Sequence, residues 1–256
     1  MLTDYEDTFI LLGSRDIQRG QDAVVSIIQI VGNYASSRIE LLPLDVTSSS
    51  SVSTAAETVL AKFGPTSLHA LVNNAGIGWG NSDSDTISTN IYGLRRVTLA
   101  FMPMLCSSGR VVNISSASGP MYISKRKASG VDCSLFMDAT NTWEALDSEI
   151  REFLSRDPST RDAGEAYGFS KACVNAYTLQ LSTQFPTLQI NSCTPGFIDT
   201  DLTRGMGATN TPESGTRSAL FCLFSDIAAS GRYYGSDAVR SPLDKYRGPG
   251  EPAYEE

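Results

Sequence analysis

The chain has 256 residues, 41% of them hydrophobic and 19% charged, with a net charge of −8. That length suits one α/β domain with a substantial core, and the acid excess disfavours nucleic acid and anionic membrane surfaces as partners. No apolar run approaches the ~20 residues of a membrane-crossing helix, and no basic, apolar, small-residue leader opens the chain, so a cytoplasmic protein is expected. The five cysteines (Cys106, Cys133, Cys173, Cys193, Cys222) show no zinc-ligand spacing and read as reduced thiols, with Cys193 in the core. The one histidine, His69, stands directly before an apolar strand and reads as structural. With it alone no multi-histidine metal site exists, and any Ser–His–Asp triad would have to use it. Acid is concentrated in Asp4-Tyr5-Glu6-Asp7 and in 251–256, which read as solvated tails.

Residues 8–14 form a continuous apolar run, as expected of a strand buried on both faces, and 16–31 follow with helical periodicity. Residues 38–44 read as the next strand. The serine run 48–51 reads as a loop and helix N-cap, and 52–63 as a helix stopped at Gly64-Pro65. A strand is expected over 68–73, two helical patterns over 84–106 and a strand over 110–115. The interval 117–166 contains the basic patch Lys125-Arg126-Lys127, read as a solvated loop, and an amphipathic helix near 142–154. A helix over 163–185, a strand over 188–194, a helix over 211–224 and a short last strand over 231–235 complete the pattern. Residues 240–256 read as an irregular tail. Strands alternating with helices predict a Rossmann-like, doubly wound parallel sheet in a three-layer α/β/α domain spanning 1–256.

Tyr167 and Lys171 are four residues apart and share a helix face. A free tyrosine, with a pKa near ~10, is a poor acid or base at neutral pH. A neighbouring ammonium favours the phenolate, so the pair can exchange a proton with a substrate oxygen. The same spacing also occurs in solvated helical pairs. Other stretches decide between the two readings: Leu71-Val72-Asn73-Asn74-Ala75-Gly76, Thr89-Asn90-Ile91-Tyr92-Gly93, the strand ending Asn113-Ile114-Ser115-Ser116, and Pro195-Gly196-Phe197-Ile198-Asp199-Thr200. In this order they resemble the short-chain dehydrogenase/reductase family from about residue 8 to about residue 236. The long interval before Tyr167 resembles its monomeric carbonyl-reductase branch, where an extra helical segment covers the surface used elsewhere for dimerisation.

The resemblance implies an oxidoreductase moving hydride from NADPH to an aldehyde, ketone or quinone, a small-molecule carbonyl substrate. It implies that Ser116 hydrogen-bonds the carbonyl oxygen, Ser115 being the competing serine. Tyr167 protonates that oxygen, Lys171 lowers the tyrosine's pKa and holds the nicotinamide ribose, and Asn90 carries a water that refills the proton. For the cofactor NADP(H) it implies Asp45 and Val46 beside the adenine, Asn74 at the adjacent ribose, and Ile198, Asp199 and Thr200 at the carboxamide. An arginine after the family's second strand accommodates a 2′-phosphate, and Arg15, with Arg19 one helical turn on, stands there. A surface ion pair of Arg15 with Asp16 or Asp22 is the alternative.

The family opens with a strand, a Gly-rich turn and a helix that admit the cofactor pyrophosphate. Here 8–14 corresponds to the family's second strand, so that first strand–helix unit is absent, and the glycines of 76–80 follow a different strand. The expectation is two interior strand edges left open. It fits either a start at an internal methionine of a longer protein or a non-catalytic relative acting as an interaction protein without cofactor.

Overall fold

The computed structural model describes residues 2, 3, 5 and 7–255. Of the acidic runs, Asp4, Glu6 and Glu256 lie outside the described residues. β1 (Ile10–Ser14) pairs in parallel with β2 (Ile39–Pro43) as a two-stranded sheet. A second sheet has the order β3 (Leu68–Asn73), β4 (Leu105–Ile114), β5 (Gln189–Cys193), β6 (Tyr233–Tyr234) and β7 (Arg240–Ser241). Its strands are parallel except β7, which is antiparallel to β6.

The period-two alternation of the strands sorts their side chains into two helical layers. One layer contains α1 (Ile17–Val31), against Ile10 and Ile39, and α8 (Arg217–Phe224), against Val112 and Cys193. The opposite layer contains α2 (Ser49–Phe63), α3 (Asp83–Ile87), α4 (Leu94–Phe101), α5 (Ser118–Ala128), α6 (Trp143–Ser155) and α7 (Glu165–Gln184). Its core joins Val111 and Ile190 of the sheet to Phe169, Cys173 and Val174 of α7 and to Leu146, Ile150 and Phe153 of α6. Helix starts follow local chemistry: the side chains of Asp16, Ser48, Ser82 and Thr142 each accept a backbone N–H of the first turn.

The expected open edges are present. Among the described residues no strand lies against β1 on the side away from β2, or against β3 on the side away from β4. What joins the two sheets is the helical layer: Leu11 of β1 and Leu68 and Leu71 of β3 pack on one cluster built from α2 and α4. β1 was expected to be buried on both faces, yet none of its five residues is fully buried. Phe9 and Val72 are 45% and 39% exposed for the same reason: a strand with an unoccupied edge cannot be covered there.

Four further expectations are corrected. The two helical patterns over 84–106 form one continuous helical stretch in which α3 and α4 are joined by a π-turn, Ser88–Gly93, and β4 already begins at Leu105. Lys125-Arg126-Lys127 is not a loop but the last turn of α5, where cations meet the helix's unpaired carbonyls. There Lys125 pairs with Asp162, and Lys127 with Asp244 at 2.6 Å. The described residues of the N-terminus are not a loose tail: Leu2 is buried, and Tyr5 stacks on Phe224 with ring centroids 3.6 Å apart. Residues 240–256 are irregular only beyond β7, so the strand over 231–235 is not the last. They are anchored by Arg247, which is buried, pairs with Asp237, and donates to the Ser241 hydroxyl at 2.9 Å and to the carbonyl of Glu251 at 2.6 Å.

Candidate active site

Every site residue expected from the sequence sits at or just beyond the C-terminal end of a parallel strand, or on the helical segments behind those ends. Arg15 follows β1, Asp45 and Val46 follow β2, Asn74 follows β3, Ser116 follows β4, and Ile198–Thr200 follow β5. In open α/β sheets this is the rim where ligands bind.

Asn90 is held in the π-turn, whose wider backbone ring carries its side chain inward. It is buried and uses its whole amide. Nδ2 donates to the Ile77 carbonyl at 2.9 Å and to Ser170 Oγ at 3.0 Å, and Oδ1 accepts the Ile77 N–H at 2.8 Å. Asn90 therefore ties the glycine loop 75–80 to α7. The loop lies tightly over the site, since a Cβ on Gly76 would come within 3.4 Å of both Asn90 Oδ1 and Lys171 Nζ.

The two serines after β4 divide their work. Ser115 is buried, and its hydroxyl donates to the Lys171 carbonyl at 3.1 Å, fixing α7 on the strand end. Ser116 is half-buried, and its hydroxyl meets Ser118, at 3.3 Å to Oγ and 3.2 Å to the N–H, and the Tyr167 side chain. Of the two, Ser116 keeps a hydroxyl available to a ligand. The approach of α5 to α7 depends on glycine: a Cβ on Gly119 would lie 2.9 Å from the Lys171 carbonyl carbon, and one on Gly168 would lie 3.1 Å from the Ser118 oxygen.

Tyr167 and Lys171 share one face of α7 as expected, Lys171 Nζ lying 5.6 Å from the Tyr167 ring centroid. Both are buried. Nζ donates to the Ile114 carbonyl at 2.8 Å, and burial pushes its pKa down to about 8. Burial raises the Tyr167 phenol above its ordinary value, and hydrogen bonding with the Ser116 side chain pulls the other way. The group opposing the rise is thus Ser116, whereas the sequence pointed to Lys171. In a dry site the cost of making the phenolate exceeds the attraction of an ammonium that is itself poorly solvated. Trp79, not singled out from the sequence, lies against Tyr167 with ring centroids 4.8 Å apart at 38°. The clue available was its place directly after the glycines of the loop.

Two buried asparagines hold these elements together. Asn73 Nδ2 donates to Thr98 Oγ1 at 2.9 Å and to Asn113 Oδ1 at 2.8 Å, and Asn113 Nδ2 donates to Thr178 Oγ1 at 2.9 Å. Amides inside apolar strands were the signal that could have found them.

The expected cofactor residues are placed less uniformly. Arg15 is exposed and forms no ion pair among the described residues: Asp16 caps α1 and Asp22 accepts from Gln18, so the surface-pair alternative is not realised. Arg19 instead pairs with Asp201 at 3.7 Å. Asp45 Oδ1 accepts the N–H and hydroxyl of Thr47, which with nearby Arg15 and Arg96 holds its carboxyl below the usual range. Asn74 is exposed at the end of β3. Ile198 is buried and bridges to Asn210, whose carbonyl also accepts the Asp199 N–H at 2.9 Å, and Thr200 caps the turn Asp201–Thr203.

Comparisons with known proteins identify the family. A (+)-neomenthol dehydrogenase from Arabidopsis thaliana is 30% identical over 251 residues, covering 84% of this chain and 82% of that protein. The chain belongs to the short-chain dehydrogenase/reductase family. The family model for short chain dehydrogenases matches residues 14–128. Carbonyl reductase [NADPH] 1 from Mus musculus is 30% identical over 234 residues, covering 83% of this chain and 80% of that one. Among solved structures, salutaridine reductase from Papaver somniferum superposes with a TM-score of 0.75 at 26% identity, covering 88% of this family member and 90% of that chain.

The depressed Lys171 pKa has a measurable consequence. An unfolded lysine titrates near ~10.4, so between about pH 8 and that value the unfolded state binds more protons than the folded one, and stability rises with pH across the window. Below it both states are protonated and the burial penalty is fully present. Lys171→Met should abolish the rise and be more stable than the parent at pH 7, by on the order of 2 kcal/mol. Urea denaturation of both proteins across this pH range checks it, and equal slopes would contradict a charged, buried Lys171.

Proposed function

We propose that the chain is an NADPH-dependent reductase of aldehydes, ketones or quinones working through Ser116, Tyr167, Lys171 and Asn90. The observation that carries the reading is the convergence at the end of β4 of an available Ser116 hydroxyl, a buried Tyr167 and a buried Lys171. The names of its relatives, among them a carbonyl reductase [NADPH] and a neomenthol dehydrogenase, support the cofactor and the substrate class. The residues present fit the two ends of NADP(H). Arg15, which forms no ion pair among the described residues, would hold a 2′-phosphate, and Lys171 under the Gly76 loop would hold the nicotinamide ribose, with Asp45, Val46 and Asn74 near the adenosine and Ile198, Asp199 and Thr200 near the carboxamide. Arg19 would serve only after leaving Asp201.

When bound, the cofactor supplies a hydride to the substrate carbonyl carbon. Negative charge then builds on the carbonyl oxygen, and Ser116 donates a hydrogen bond to it. Tyr167 donates the proton. Burial favours its neutral form, which suits an acid acting in the reductive direction. The Lys171 ammonium, one turn away, stabilises the phenolate left behind, and Asn90, its amide engaged by Ile77 and Ser170, holds the glycine loop on α7 beside that pair. The Trp79 ring beside Tyr167 offers an apolar wall against which the substrate body lies.

A second reading, a family member acting without cofactor, is favoured by the β1 and β3 edges that stand open among the described residues. With those edges open NADPH is expected to bind weakly, and assays call for millimolar cofactor. Turnover of a panel of aldehydes, ketones and quinones, with NADPH affinity from cofactor fluorescence, separates the readings. Tyr167→Phe should lower turnover by about 10²–10⁴-fold with affinity nearly unchanged. Ser116→Ala should cost ~2.7–4 kcal/mol of transition-state stabilisation and spare affinity. No NADPH response at millimolar concentration, or a Tyr167→Phe protein with the parent rate, would defeat the reductase reading.

Arg15→Asp should weaken NADPH but not NADH, by ~1.5–3 kcal/mol for a lost charge-assisted contact. An unchanged preference between the two would remove Arg15 from the cofactor site.

The oligomeric reading is a monomer, because residues 117–166 place α6 over α7, Leu146, Ile150 and Phe153 packing on the core that includes Phe169. Light scattering should give a mass near 27.5 kDa, and a stable tetramer would contradict it.

A further inference from the structure

Outside the catalytic set, a cavity of about 420 Å³ opens between α2 and α4. Its polar lining is Ser49, Ser53, Tyr92, Arg95 and Arg96, and it contains no carboxylate. In a chain of net charge −8, two adjacent guanidinium groups without an acidic partner are unusual. Neither forms an ion pair among the described residues, and the neighbouring acids are already engaged. Asp147 accepts the Tyr92 hydroxyl at 2.6 Å and pairs with Arg151, and Asp45 is occupied by Thr47.

Both arginines are held in place. The Arg95 guanidinium lies over the Trp143 ring at 4.3 Å, and its Nε is buried with no hydrogen-bond partner. Arg96 donates through Nε to Ser49 Oγ at 3.0 Å and through Nη1 to the Val46 carbonyl. Two oriented planar donors and the hydroxyls of Ser49 and Ser53 match an acceptor with several oxygens and two charges better than they match a single carboxylate. The volume is within the range of small-molecule sites.

We propose that this cavity binds a small dianion of the phosphate-monoester class, with Arg95 and Arg96 as its charge partners and the Ser49 and Ser53 hydroxyls completing the hydrogen bonds. The Trp143 ring under Arg95 supplies an intrinsic reporter of occupancy.

The test is titration of the full chain with glycerol 3-phosphate and with inorganic phosphate. Isothermal titration calorimetry and tryptophan fluorescence are the readouts, with sodium chloride at matched ionic strength as control and phosphatidic acid vesicles as a separate arm. Saturable binding of glycerol 3-phosphate is expected, with Arg95→Leu weakening it at least about tenfold, the scale of one lost charge-assisted contact. Because Arg95→Leu also removes packing on Trp143, Ser53→Glu provides the second variant. It sits on an exposed helical position, leaves the core untouched and puts a carboxylate in the lining, so the protein should keep its melting temperature and lose the binding. A response that only follows ionic strength, binding that survives Ser53→Glu, or binding to vesicles but to neither soluble phosphate would overturn the proposal.

Discussion

A line of four buried polar side chains runs through the middle of this molecule, from Thr98 on α4 through Asn73 on β3 and Asn113 on β4 to Thr178 on α7. Each bond contributes ~1 kcal/mol net, but removing one member orphans its neighbours in a dry interior, at about 1–3 kcal/mol per group. The bonds also set the position of two strands and two helices relative to one another, which apolar packing alone fixes loosely. The groups proposed for catalysis ride on the same elements: Asn90 precedes Thr98 in one helical stretch, Ser116 follows Asn113, and Tyr167 and Lys171 precede Thr178 on α7. The polar line thus acts as the frame on which the site is aligned.

Around that frame the site is held by close backbone approach and by burial that works against stability. Gly119 and Gly168 let α5 and α7 touch through their main chains, Gly76 lets the loop close over Lys171, and Gly164, at φ +80°, leaves room for Trp79. Lys171 is a cation without a carboxylate, and its ammonium donates to one carbonyl, that of Ile114. The arrangement costs folding energy, and the apolar core shared by α6 and α7 offsets it.

Much of this was legible in the sequence because the signals were local and strong. Continuous apolar runs gave the strands, Asp16, Ser48 and Thr142 gave helix starts, and the Tyr167–Lys171 spacing gave a shared helix face. What was not legible depended on distance or on main-chain detail. A π-turn at Ser88–Gly93 leaves no mark in hydrophobic periodicity. Three consecutive cations have no period at all, so the end of α5 read as loop. Arg19 meets an aspartate far along the chain, and Arg247 is buried although arginine is ordinarily a surface residue. The balance between Lys171 and Ser116 in setting the Tyr167 phenol depends on solvation, which a sequence does not carry.

The division of the strands into a pair and a group of five has a dynamic side. β4 and β5 are hydrogen-bonded on both edges and enclosed by helices on both faces, whereas β1 and β2 are held to the rest through α2 and α4. The strand pair therefore has fewer hydrogen-bonded edges to hold it than the five-stranded sheet. A sub-global opening of β1, β2 and α1 that left the five-stranded sheet standing would let their amide protons exchange with solvent sooner than those of β4. Arg15 belongs to the unit that opens and Lys171 to the one that stays, so a ligand touching both would act as a clasp, slowing exchange in the strand pair while leaving the larger sheet as it was.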